Sequence, residues 1–140
     1  MNRIIPSELQ KAYQNTNYKV FTKEKEILLR VKYRSLEMDE LLIQLGEDKF
    51  IFITAANPYS IPNSNSENQI LNQILENKII DLQKIYYYGV GESPDRKWKE
   101  DSFCVIGISL KNAMNLARNF SQNGILFGKK DQPTKIVWTF

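Results

Sequence analysis

The sequence predicts a single α+β domain over residues 1–140. It has a mixed sheet with a ferredoxin-like β-α-β-β-α-β core over 49–128, preceded by a hairpin and a helix and followed by one more strand. Three observations predict it. Strand-like and helix-like segments alternate in that order from Lys49 onward, the split-βαβ arrangement. The stretch between the two middle strands has no helical periodicity, which argues against a doubly wound sheet. Apolar residues at 42% and charged residues at 25% are ordinary globular proportions, and 140 residues bury a core as one unit.

Each element follows from a local pattern. Residues 18–21, YKVF, and 26–33, EILLRVKY, form a hairpin across TKEK, with Ile27, Leu29, Val31 and Tyr33 on one face and Arg30 and Lys32 on the other. The next segment, SLEMDELLIQLG, carries Met38, Leu41, Leu42 and Leu45 at helical spacing, with Ser35 to cap it and Gly46 to end it. KFIFIT (49–54) is apolar on both faces, as a central strand requires. A helix from about 65 to 80 starts at two overlapping capping boxes, Ser64/Glu67 and Ser66/Gln69, and buries Ile70, Leu71, Ile74, Leu75 and Ile79. Strands at 84–90 and 103–108 follow, and then a helix with Leu110, Ala113, Met114, Ala117 and Phe120 on one side. Asn123-Gly124 stops that helix, ILFG returns as a strand, and KIVWTF closes the chain.

Composition excludes several chemistries. The chain has no histidine, which removes Ser-His-Asp and Cys-His catalysis and nearly all zinc and haem sites; a lone cysteine removes thiolate metal clusters. No metal site is expected, and no cofactor is identified. Catalysis would rest on carboxylates, Lys, Tyr, hydroxyls, amides or the backbone. Residues 1–11 lack the apolar core of a signal peptide, and no apolar run approaches the ~20 residues of a membrane helix. The expectation is a cytoplasmic protein without a membrane partner. The net charge of +3 is uneven: residues 1–34, the basic hairpin region, hold eight Lys/Arg against three Glu, or +5, leaving −2 for the rest. That stretch either meets nucleic acid or an acidic protein, or is a solvated strand face.

Polar residues gather in three segments. TAANPYSIPNSNSEN (54–68) joins the carboxyl end of a central strand to a helix start, where free N–H groups point. There Thr54 and Asn57 are site or scaffold, and Ser64 and Ser66 are caps. GVGESPDRKWKEDS (89–102) is a fourteen-residue connection with Trp98 amid interleaved charges, longer than packing requires. It is a binding loop or lid, or solvated loop charge anchored by that Trp; its carboxylates suit acid–base work. In FSQNGILFGKK (120–130), Asn123 or Gly124 suffices for a helix cap, which leaves Gln122 unexplained. YYYG (86–89) is a packed aromatic strand or a surface for stacking bases.

Taken together, Thr54-Ala55-Ala56-Asn57-Pro58 with Asn68, then Trp98 and Glu100 before Phe103, then Phe120, Gln122 and Asn123 carry a resemblance. In order and spacing the chain resembles the bacterial family catalogued as domain of unknown function 3293, from about Leu28 to the C-terminus. It departs from that pattern at Gly124-Ile125, where Ala would precede the apolar run, and in its basic DRKWKED loop. The resemblance implies no activity. It implies that Thr54, Asn57, Asn68, Glu100, Gln122 and Asn123 share one site. The functional expectation is a small polar ligand, a nucleotide among the candidates. Thr54, Asn57, Asn68, Trp98, Gln122 and Asn123 would line its site, with Glu100 as general acid or base. The alternatives are an interaction module that binds nucleic acid or an acidic protein through the basic hairpin, and polar motifs that only satisfy buried backbone.

Overall fold

The computed structural model describes residues 6–140. A first helix, α1 (Ser7–Asn15), leads into the hairpin β1 (Asn17–Phe21) and β2 (Glu26–Leu29). Then come α2 (Leu36–Leu45), β3 (Lys49–Ile53), a 3-10 turn (Pro58–Ser60) and α3 (Asn65–Asp81). The strands β4 (Tyr86–Glu92) and β5 (Lys99–Ile106), helix α4 (Leu110–Asn119), and strands β6 (Gly124–Lys129) and β7 (Lys135–Trp138) complete the chain.

The seven strands form one sheet in the order β2-β1-β4-β5-β3-β6-β7. Every neighbouring pair is antiparallel, so the sheet is not the mixed one the sequence predicts. The reason lies in the crossovers. The strands joined through a helix, β3 with β4 and β5 with β6, do run the same way, but a strand of opposite direction lies between the members of each pair. The sheet curls until its ends meet: Lys32 N–H donates to Thr134 O (2.8 Å) and Thr134 N–H to Tyr33 O (3.0 Å), joining the chain past β2 to the residue before β7.

Strand alternation divides the core in two. Ile51 and Ile53, Phe103 and Val105, and Ile125 and Phe127 face α3 and α4. Tyr18, Val20, Phe50, Phe52, Cys104, Ile106 and Leu126 face the other way, onto Met38 and Leu42 of α2. The expected caps form: Ser35 Oγ accepts from Met38 N–H, and Gly46 closes α2 at φ 69°. Of the two capping boxes the chain uses Ser64/Glu67, whose Ser64 Oγ accepts from Glu67 N–H.

Four local expectations are corrected. Helix α1 is an element the sequence reading does not assign; none of its residues is fully buried. Strand β2 stops at Leu29 because Lys32 takes a left-handed φ of 76°, and Tyr33 is left exposed. Along α3, Ile70 and Ile74 are exposed, and the inward stripe instead runs through Asn72, Leu75 and Ile79. The fourteen-residue connection is mostly sheet: β4 and β5 pair from Tyr86↔Val105 to Glu92↔Lys99, leaving a six-residue turn over 93–98.

A cavity between the first helix and the sheet

The β4–β5 register sets Glu100 opposite Gly91 and Ser102 opposite Gly89, with Tyr18 opposite Gly91 on the far side. Tyr18, Gly91 and Glu100 therefore form one row across three strands, on the face of the sheet that carries Cys104 and Ile106. Gly91 keeps the row open, since a Cβ there would touch only Thr16 and Tyr18, at 3.6 Å. Gly89 is needed for close approach: a Cβ there would lie 2.6 Å from Lys19 O and 2.8 Å from the Phe52 ring. Helix α1 lies over this row, with Leu9, Ala12 and Tyr13 along one side. A cavity of about 820 Å³ opens between helix and sheet, floored by Tyr18, Phe52 and Leu126.

Six of the seven residues singled out in the sequence line this cavity: Thr54, Asn57, Trp98, Glu100, Gln122 and Asn123. Asn68 does not; it borders a separate groove along α3 and holds Asn57 from behind. Asn57 N–H donates to Asn68 Oδ1 (2.9 Å), and Asn68 Nδ2 donates back to Asn57 Oδ1 (3.0 Å). Asn57 Oδ1 also accepts from Asn63 N–H (2.9 Å), while Asn57 Nδ2 donates to Glu100 Oε2 (2.8 Å). The two ends of one amide thus do different work: its oxygen holds the turn and its nitrogen holds the carboxylate.

The surrounding polar groups fix the loops. Thr54 Oγ1 donates to Asp101 O (2.6 Å) and accepts from Ala56 N–H (3.0 Å). Asn72 spans the same junction, accepting from Ala55 N–H (2.9 Å) and donating to Asp101 O (3.0 Å). Gln122 is buried and donates from Nε2 to Ala56 O (3.0 Å) and Phe120 O (3.3 Å). Asn123 Nδ2 donates to Ser60 Oγ (2.9 Å), while its Oδ1 is buried without a partner. Trp98 stands at the rim, 44% exposed, held at the β4–β5 turn by Ser93.

Backbone strain gathers here too. Asn57, Tyr59, Ser60 and Ser121 all have φ between 50° and 61°, and Tyr59 N–H donates to Ser121 O (2.7 Å), tying two strained segments together. Left-handed φ in residues with a Cβ costs energy and collects where a site dictates the backbone.

Burial raises the Glu100 carboxyl to about 7, against a smaller opposing effect of the Asn57 hydrogen bond. Burial and the nearby Glu100 raise the Tyr13 phenol to about 12, and burial pushes Tyr18 further up, so both stay neutral. Glu100 therefore exchanges its proton near neutral pH inside a largely apolar cavity. That is the condition for a general acid or base, or for a counter-ion. Among the described residues no group of three His, Cys, Asp or Glu could hold a metal ion, and no helix is long and apolar enough to cross a membrane.

Sequence reasoning missed Tyr13, Tyr18, Gly91 and Ser102 as cavity walls and Asn72 as the clamp behind it. Two signals were present: Leu9, Ala12 and Tyr13 fall at helical spacing, and Asn68 and Asn72 are one turn apart on the face continued by Leu75 and Ile79. The model of the family described as "Protein of unknown function (DUF3293)" matches residues 53–125. No curated protein and no solved structure matches the chain.

Proposed function

The chain belongs to the DUF3293 family, and from the cavity geometry we propose that the protein binds a small amphipathic ligand between α1 and the sheet. Glu100 meets the polar end of that ligand and exchanges a proton with it. One observation carries this reading: an acid raised to about 7 stands inside a cavity of about 820 Å³, held by an amide on the loop after β3. Thr54, Asn57, Gln122 and Asn123 fix the polar end, and Tyr18, Phe52 and Trp98 form the apolar wall. The β4-β5-β3-β6 order, with α3 and α4 against one face, supports reading the core as the ferredoxin-like arrangement.

Part of the positive charge behind the interaction-module reading is already answered within the chain. Lys19 pairs with Glu92, Lys25 with Glu37, and Arg34 with Asp39 and Asp131. Of the aromatic strand, Tyr86 and Tyr87 pack into the two cores, while exposed Tyr88 donates to Glu76 (2.6 Å).

The test uses indole as a neutral probe, followed by amide chemical shifts. Saturable shifts at Gly91, Ser102 and Gly124 are expected, and Gly91→Leu, which puts a side chain into the row between Tyr18 and Glu100, should remove them. Shifts that do not saturate, or that persist in Gly91→Leu, would defeat the reading.

A further inference from the structure

The polar end of the cavity holds acceptors without partners. Of the three amide nitrogens that approach it, Gln122 Nε2 spends both its N–H groups on the Ala56 and Phe120 carbonyls, while Asn57 Nδ2 on Glu100 and Asn123 Nδ2 on Ser60 each keep a second N–H. Two acceptors have no hydrogen bond. Glu100 Oε1 has no hydrogen bond among the described residues, whereas Oε2 has Asn57; Asn123 Oδ1 is buried with no partner. Charge points the same way. Among the described residues that line the cavity, the charged ones are Glu8 and Glu100, and no Lys or Arg is present. Among the described residues a phosphate or carboxylate would meet a like charge and no lining cation, which favours a cationic ligand over the nucleotide expectation. The walls add Tyr13, Tyr18, Phe52, Tyr59 and Trp98, ring faces and edges beside a carboxylate, the setting in which a desolvated cation gains from both.

We infer that the ligand presents a cationic nitrogen, an amine or amidine on an apolar or aromatic body, with Glu100 as its counter-ion. This rests on the small-molecule reading of the cavity and specifies the charge of its occupant. The ionisable groups that line the cavity with Glu100 are Glu8 and Tyr13 from α1, Tyr18 from β1 and Tyr59 from the 3-10 turn; the groove along α3, which Glu100 also borders, adds Glu76, Tyr88, Lys99 and Asp101. Tyr13 and Tyr18 stay neutral across the working range, so the pH dependence expected there is that of Glu100. A cation selects the ionised form of Glu100 and therefore releases a proton as it binds.

Three indoles of similar shape separate the possibilities: tryptamine (cation), tryptophol (neutral) and indole-3-acetate (anion), titrated calorimetrically into the full chain. At pH 8, tryptamine should bind about tenfold or more tighter than tryptophol, the worth of a charge-assisted hydrogen bond, and indole-3-acetate should bind weakest. With the Glu100 carboxyl at about 7, tryptamine affinity should rise about tenfold from pH 6 to 8 while tryptophol changes little. Glu100→Gln should bring tryptamine level with tryptophol without weakening tryptophol. Gly91→Leu should remove binding of all three; Ala12→Phe, on the exposed helix, is the second block if Gly91→Leu does not fold. Equal binding of tryptamine and tryptophol by the native chain, lost in the blocked variants, would overturn the cationic ligand and leave the cavity reading standing. A preference for tryptamine that survives Glu100→Gln would overturn the role of Glu100. Absence of binding by all three would overturn both readings.

Discussion

Glu100 sits where a carboxylate is costly and is kept there. Its folded value of about 7 lies above the ordinary 4.5, so the fold prefers the neutral acid. Stability from this group is fully present below the ordinary value and is lost as pH rises through 7, by at most about 3 kcal/mol. Glu100→Gln keeps an acceptor for Asn57 Nδ2 and removes the charge. That variant should therefore be more stable than the native chain at pH 8 by about 1–3 kcal/mol, and close to it at pH 4, by denaturant titration at both values. An unchanged difference across that range would mean that Glu100 is hydrated rather than desolvated. At this scale the sequence was informative about identity. A Thr and an Asn after an apolar strand, an acid beside a Trp, and a Gln that no cap explains were all visible as residues out of place. It was silent about Tyr13 and Tyr18, because a Tyr in a helix or a strand is an ordinary packing residue until its neighbours are known.

Among the elements, α3 shows why an apolar count can mislead. Its sequence offers Ile70 and Ile74 to a core, yet both are exposed, because the inward side of the helix is taken by Asn68, Leu71, Asn72 and Leu75, and its first turns also meet the 54–57 turn. That turn presents backbone groups, so the helix answers with Asn68 and Asn72. Asn72→Leu should accordingly destabilise the chain by about 1–3 kcal/mol despite adding apolar volume at a buried position, since Ala55 N–H loses its acceptor. Equilibrium unfolding measures this; a neutral or stabilising result would mean that the junction repacks. The outer end of the β4–β5 hairpin was hidden for a related reason. Glu100 and Ser102 point inward and Lys99 and Asp101 outward, so polar residues occupy both faces and no apolar alternation marks the strand. An inward polar pair is the mark of a strand that lines a cavity.

For the whole molecule, the family match spans 53–125, from the end of β3 to the start of β6. That stretch carries Asn57, Glu100 and Gln122, whereas Tyr13 and Tyr18, the facing wall, lie before it. The N-terminal part is therefore joined to the rest as half of a cavity, through the pairing of β1 with β4. Gly89 sits in that seam. Gly89→Ala would force a Cβ against Lys19 O and the Phe52 ring, and should cost about 2 kcal/mol or more with broadened Tyr18 and Gly91 resonances. A cost below about 0.5 kcal/mol would show the seam to be loose, since ordinary surface changes fall in that range.

The sequence by itself determined the class of fold, the order of the elements from β1 onward, the caps at Ser35, Gly46 and Ser64, and the exclusion of histidine chemistry. These are local properties, written in periodicity, in turn residues and in which side chains are present at all. Tertiary structure alone decided that every strand pair is antiparallel, that α1 lies over the sheet, and that Asn57, Glu100 and Gln122 meet although Asn57 and Glu100 are 43 positions apart. Those outcomes depend on the register of strands far apart in the chain and on the space left where two glycines face an acid and a serine. A shift of one residue would turn Glu100 to the other face of the sheet and close the cavity.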